Sequence, residues 1–176
     1  DHLPEEIVGQ VPMDLLGLLT GLPAGTEQIP WEGPDVRIIE HQAHAPGHAA
    51  LLIQERGVLV VGDMLSDVLV PMLDFRGATD PIGDYLTALE LIEAVVGDVD
   101  VAVPGHGTIA AAGEIQERVD LDRAYVIALR DGQDLSDPRI GSSAQPGWEW
   151  VSSIHEGQLQ SIAQRNEGEV APDQPS

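Results

Sequence analysis

HQAHAPGHAALLIQERGVLVVGDMLSD, residues His41 to Asp67, is the stretch that decides how the chain is read. A His-rich turn, His44-Ala45-Pro46-Gly47-His48, leads into the apolar run Ala49 to Ile53. A polar break, Gln54-Glu55-Arg56-Gly57, separates it from a second apolar run, Val58 to Val61, which ends on Gly62-Asp63. Two short runs rich in Val, Leu and Ile around a four-residue turn ending in Gly predict a β-hairpin. Histidine enters this hairpin and aspartate leaves it. His44 and Asp63 are therefore expected to be neighbours, although 19 positions separate them.

Further on, Asp98-Val99-Asp100-Val101-Ala102-Val103 runs into Pro104-Gly105-His106-Gly107, a second strand that delivers a histidine into a Gly/Pro loop. Imidazole and carboxylate suit zinc, and also iron or manganese. HAPGH, GVLVVGD and DVAVPGHG, in that order between roughly Val36 and Gly107, resemble the C-terminal half of the metallo-β-lactamase-fold hydrolases, the superfamily that includes glyoxalase II. The resemblance implies that His44 is a metal ligand, that Asp63 bridges two metals and that His106 is a ligand. It also places Asp1 and His2 as the last two letters of the family's leading HxHxDH motif, the HxH pair being absent from this sequence. Asp1 and His2 would then be metal ligands, with Asp1 orienting a metal-bound hydroxide. The alternative, two terminal residues without a role, stays open. One or two zinc ions are implied, at most one of them tightly bound, because the HxH pair is missing.

The same resemblance implies an α/β architecture, the four-layer αββα sandwich, incomplete at the N-terminus. On that reading the sheet keeps one apolar face without cover. Self-association, or pairing with an N-terminal fragment, is expected to hide it.

Composition sets outer bounds. A chain of 176 residues, 43% hydrophobic, suffices for one core, predicted over 1–165, followed by a polar, Pro-containing tail at 166–176 expected to be disordered. A net charge of −22, from 30 acidic against 8 basic residues, opposes a phosphate backbone and weighs against a nucleic-acid partner. No apolar run has the length of a membrane span, and no membrane partner is expected. The absence of Cys removes disulfides and thiolate ligands. A cytoplasmic location is the expectation, although a Cys-free chain suits either redox environment.

Along the chain, Leu3 to Val8 and Met13 to Leu19 read as helices, Gly25 to Trp31 as holding a brief strand, and Val36 to Glu40 as the strand feeding the His-rich turn. Asp80-Pro81 opens a helix through Tyr85, Leu89, Ile92 and Val96, with Gly97 placed to stop it. Gly113-Glu114 begins another, ending near Gly132. Asp134 to Gly147 reads as loop and Trp148 to Arg165 as a last helix.

The remaining polar candidates are expected to do less. His48 is read as standing behind the ligands, His41 as a surface residue at a strand end, and His155 as ordinary helix surface. Asp67 and Asp74 read as solvated loop acids. The tryptophans at 148 and 150 are expected to anchor the last helix, with a pocket role as the alternative. The function implied is a metal-dependent hydrolase whose metal-bound hydroxide attacks an ester, thioester, lactone or amide in a small-molecule substrate. A non-catalytic partner-binding module and an iron-dependent dioxygenase relative are the competing readings.

Overall fold

The structure, a computed structural model, describes residues 21–134 and 136–169. The expected helices at 3–8 and 13–19 lie outside that range. Five strands form one sheet in sequence order: β1 (Arg37–His41), β2 (His48–Ile53), β3 (Val58–Gly62), β4 (Val101–Pro104) and β5 (Ala110–Ala111). β2 and β3 make the predicted antiparallel hairpin, with Leu52 opposite Leu59 and Ile53 opposite Val58 across the short Gln54–Arg56 3-10 turn. β1 joins β2 antiparallel. β4 lies parallel to β3, and a parallel neighbour needs a crossover, here a long loop and a helix.

That crossover helix is α1 (Pro81–Val96), and it starts as its sequence dictates. Pro81 occupies the first turn, where a missing N–H costs nothing, and the Asp80 carboxylate accepts the Gly83 N–H at 2.9 Å. α2 (Ala112–Asp131) opens with the Ala111 N–H donating to Glu114 and closes on Gly132 in a left-handed conformation. α3 spans Val151–Glu169.

Strand alternation sorts the sheet into two faces. Ile39, Ala50, Leu52, Leu59, Val61 and Ala102 are buried in one cluster with Tyr85, Leu89 and Ile92 of α1 and Ile115, Val119 and Val126 of α2. On the opposite face Ile38, Leu51, Val60 and Val103 are half-buried. Leu22, Pro23 and Ile29 border a cavity over Ile38, Ala49 and Leu51, so the segment near 22–29 gives this face part of its cover.

Several expectations change. The brief strand within 25–31 reduces to a single bridge, Gln28 to Arg37, because Pro30 has no N–H with which to extend it. Trp148 to Trp150 form a turn, and the helix begins only at Val151. The helix also continues to Glu169, past the point where the disordered tail was expected to start. Arg165 secures it by donating to the carbonyls of Phe75, Ala78 and Thr79. The connection after Asp63 is a loop as expected, and within it Met64, Leu65, Ser66 and Val68 to Pro71 are buried.

A polar network accounts for that burial. Arg139, with a side chain 0% exposed, donates to Asp137 and Asp122 and to the carbonyls of Ser66 and Leu69. Asp122 also accepts from the Leu65 N–H at 3.0 Å and the Tyr85 hydroxyl at 3.2 Å. Leu65 has φ +56°, a left-handed conformation that costs a non-glycine residue roughly 1–2 kcal/mol. The Asp122 bond holds it there, two residues after Asp63. Burial alone would favour a neutral guanidine, but the hydrogen bonds and charges of Asp137 and Asp122 outweigh it and keep Arg139 protonated.

Candidate metal centre

Three turns converge at one edge of the sheet: the His44–His48 turn before β2, the Gly62–Asp63 end of β3 and the Gly105–Gly107 loop after β4. His44 Nε2 lies 3.2 Å from Asp63 Oδ2, and His106 Nε2 lies 3.6 Å from Asp63 Oδ1. The hairpin therefore brings the predicted pair together. Each histidine faces its own oxygen of the one Asp63 carboxylate. Among the described residues no group of three or more His, Asp or Glu is placed to hold a metal ion. Asp1 and His2 lie outside the described residues.

The donor chemistry nonetheless fits a cation. His44 Nδ1 lies 3.3 Å from the Met72 carbonyl, which can only accept, so a hydrogen on Nδ1 suits this contact and turns Nε2 toward Asp63. A bare nitrogen facing a carboxylate oxygen at 3.2 Å is repulsive unless a proton or a metal ion lies between them. Two ligands on one tetrahedral zinc, each at about 2.0–2.2 Å, stand roughly 3.3–3.5 Å apart. The separations of 3.2 and 3.6 Å bracket that range.

Close packing of backbone makes the arrangement possible. A Cβ on Gly62 would come within 2.4 Å of His48 Nε2, and one on Gly105 within 2.5 Å of Asp63 Oδ1. Only glycine leaves room for these side chains at those two places. A hydrogen bond from the Gly105 N–H to the Gly62 carbonyl, 2.7 Å long, ties the two loops directly.

His48 holds the Asp63 loop through a hydrogen bond, as its reading behind the ligands implies. Its Nε2 is 3.3 Å from the Asp63 backbone N, and its ring meets that of His44 edge-on at 5.5 Å between centroids. A signal for this was present in the sequence: Pro-Gly-His occurs twice, at 46–48 and 104–106. The expectation for His41 is corrected. It is 5% exposed, it lies beneath the site, and its Nε2 is 3.3 Å from His48 Nδ1. A residue facing inward at the end of β1 meets the helices, whereas the sequence suggested only a strand end. His155 is likewise not plain surface, because its Nδ1 contacts the Tyr125 hydroxyl at 3.0 Å. Asp67 is not a solvated acid either. It accepts both the N–H and the hydroxyl of Thr108 and lies 3.7 Å from Arg118. Asp74 accepts the nearby N–H groups of Arg76 and Gly77.

Burial, reinforced by His48 and His44, lowers the His41 pKa from 6.5 to about 4. His41 is thus neutral in the fold while an unfolded chain protonates it near 6.5. The stability it contributes is complete above about pH 6.5 and is lost as pH falls toward about 4, to a total of about 3 kcal/mol at about 1.36 kcal/mol per pH unit. Urea unfolding at about pH 7.5 and about pH 4.5, on either side of that titration, should show a larger acid loss in the wild type than in His41→Phe, which cannot titrate there. Equal losses would contradict the assignment.

Aromatic and apolar side chains flank the carboxylate. Trp148 packs on the core and stands edge-on to His106 at 5.9 Å, with half-exposed Trp150 stacked on it at 5.5 Å. On the other side, a cavity of about 400 Å³ runs from His44 past Met72, Phe75 and Ile154. The tryptophans therefore both anchor the turn before α3 and border the centre.

Comparisons with known proteins bear on this geometry. A metallo-beta-lactamase family protein from Thermus thermophilus aligns over 89% of this chain with a TM-score of 0.56 and 23% identity, covering 53% of its own length. A stereoselective inverting sec-alkylsulfatase from Pseudomonas sp. aligns over 88% with a TM-score of 0.60 and 14% identity, covering 28% of its length. A beta-lactamase domain protein from Burkholderia ambifaria aligns over 88% with a TM-score of 0.53 and 18% identity, covering 48% of its length. The chain thus spans about half the length of two of these proteins and less of the third. A comparison with curated proteins finds no match. Among the described residues no helix is long and apolar enough to cross a membrane. The sequence model of the metallo-beta-lactamase superfamily matches residues 18–106, from ahead of β1 to the histidine after β4 and including every described turn of the centre. By that match over half its length, the chain belongs to the metallo-beta-lactamase superfamily.

Proposed function

We propose that this protein is a metal-dependent hydrolase in which the Asp63 carboxylate and the histidines beside it would hold the metal. The superfamily includes metal-dependent hydrolases, which is the background for the reading. The observation that carries it is the pair of contacts that His44 and His106 make with the two oxygens of Asp63. His44 and His106 would hold zinc with Asp63, and Asp1 and His2 are proposed to complete the set. His48 is a further imidazole at the same place. A bound zinc supplies a hydroxide-strength nucleophile at neutral pH and polarises a carbonyl oxygen.

The chain's own residues do the rest. The Met72 carbonyl fixes the His44 ring, and Asp63 turns one carboxylate oxygen to each of His44 and His106. Trp148, Trp150 and the Met72–Phe75–Ile154 cavity offer apolar walls, which suit an ester, thioester, lactone or amide carrying a hydrocarbon portion.

The test is to strip the protein with a chelator, titrate zinc back, and assay a panel of those four bond types. Hydrolysis should rise with added zinc and saturate. Zinc-loaded protein no more active than the chelated form toward the whole panel would overturn the reading. His44→Ala and His48→Ala, compared by zinc affinity, separate the two candidate imidazoles, and the larger loss marks the ligand. Two imidazoles and one carboxylate also make the donor set of iron oxygenases. Oxygen uptake with Fe(II), in place of hydrolysis with zinc, would favour that second reading.

A further inference from the structure

Resting on the metal reading above, we propose that Asp67 is a positioning residue which, through Thr108 and Arg118, locks the His106 loop to the Asp63 loop and so sets the spacing of the two metal-binding side chains. Asp67 lies four residues after Asp63, and Thr108 two residues after His106. Asp67 Oδ1 accepts the Thr108 N–H at 2.9 Å, and its Oδ2 accepts the Thr108 hydroxyl at 2.6 Å. One carboxylate thereby holds both the backbone and the side chain of the neighbouring loop.

Arg118, buried at 9% exposure on α2, closes the arrangement from beneath. Its Nη1 donates to the carbonyls of Thr108 at 2.7 Å and Leu65 at 3.2 Å, and its Nη2 donates to the Thr108 hydroxyl at 3.0 Å. A single guanidinium therefore bonds both loops, one through Leu65 and the other through Thr108. Thr108 Oγ1 is used in both directions, donating to Asp67 and accepting from Arg118.

Gly107 supplies the third part. With φ +90°, it adopts a backbone conformation that suits glycine, and a Cβ there would lie 2.0 Å from Asp67 Oδ1. The loop passes so close to Asp67 that no side chain fits between them. Burial works against ionisation of Asp67, but the two Thr108 bonds and the Arg118 charge outweigh it and hold the carboxyl below its usual range. Asp67 and Arg118 reach His106 and Asp63 through the backbone of Thr108 and Leu65. Their effect on a metal is through distance, since a bridge over one carboxylate tolerates little change in the 3.6 Å His106 to Asp63 separation.

Asp67→Ala and Thr108→Val test this in the full chain. Zinc affinity should fall roughly tenfold in each, the low end for groups standing behind metal ligands. The visible absorption of Co(II)-loaded protein should shift, and Thr108→Ser should restore both. In the metal-free protein, amide exchange at 106–108 should accelerate in both disrupting variants. Thr108 is exposed, so Thr108→Val keeps the test available if Asp67→Ala does not fold. Unchanged affinity, Co(II) spectrum and exchange in a folded variant, even with a lowered Tm, would overturn the proposal and leave a merely structural contact. Should wild-type protein take up no metal, the metal reading fails by itself; faster exchange at 106–108 would still support the lock, and unchanged exchange would end it too.

Discussion

Asp63→Ala is expected to abolish tight metal uptake, with affinity falling at least about 100-fold. Zinc held by four protein ligands is bound by about 10–16 kcal/mol, so one ligand carries roughly 3 kcal/mol. At about 1.4 kcal/mol per factor of ten, that is about two decades. Asp63 faces His44 with one oxygen and His106 with the other, so its removal reaches every metal position that the described residues suggest. Its side chain is 30% exposed and outside the core, so thermal stability should change little. Competition titration against a zinc-binding dye measures the loss. Asp74→Ala is the matched control, a loop carboxylate that accepts the N–H groups of Arg76 and Gly77, and it should bind like wild type. Wild-type stoichiometry and affinity in Asp63→Ala would dispose of the centre as drawn.

Arg139→Leu should produce the largest loss of stability. Asp137 and Asp122 are 0% and 1% exposed, and Arg139 is the cation paired with both. Without it two carboxylates stay buried without a cation, and the Ser66 and Leu69 carbonyls each lose a donor. Removing one partner of a buried ionic group costs about 3–5 kcal/mol. For a chain of this size that corresponds to a fall in Tm on the order of 10 °C. Arg139→Lys keeps the charge but replaces a planar fork with a single ammonium, so it should recover only part of the loss. Because the network also holds Leu65 in its left-handed conformation, Arg139→Leu should weaken metal binding along with stability. A loss below about 1 kcal/mol would mean that solvent reaches the two carboxylates and that the network does little.

Much of the fold is legible in the sequence because its signals are local. The hairpin follows from Ala49 to Ile53 and Val58 to Val61 around a short polar turn. α1 begins where Asp80-Pro81 places it and ends at Val96, although Gly97 is right-handed there and not the left-handed cap its type suggests. β5 escapes because it is only two alanines, a residue type with little preference for strands. The run of α3 to Glu169 escapes because polar composition was taken as disorder, while Arg165 finds three carbonyls on a distant loop.

The candidate centre divides in the same way. Pro-Gly-His at two strand boundaries and Gly-Asp at a third are contiguous strings, and hairpin geometry alone brings His44 to Asp63. These the sequence determined by itself, since backbone hydrogen bonding and turn chemistry act over a few residues. It could not tell that His41 faces inward, that Asp67 grips Thr108, or that Arg139 joins Asp122 and Asp137 under the Asp63 loop. A charged or polar side chain has the same identity in water as in a core, and only its partners decide its role. Arg139 and Ser66 are 73 positions apart, and Asp67 and Thr108 are 41. Tertiary packing decided those pairings, because only the folded chain removes water from these groups and leaves them one another to bond.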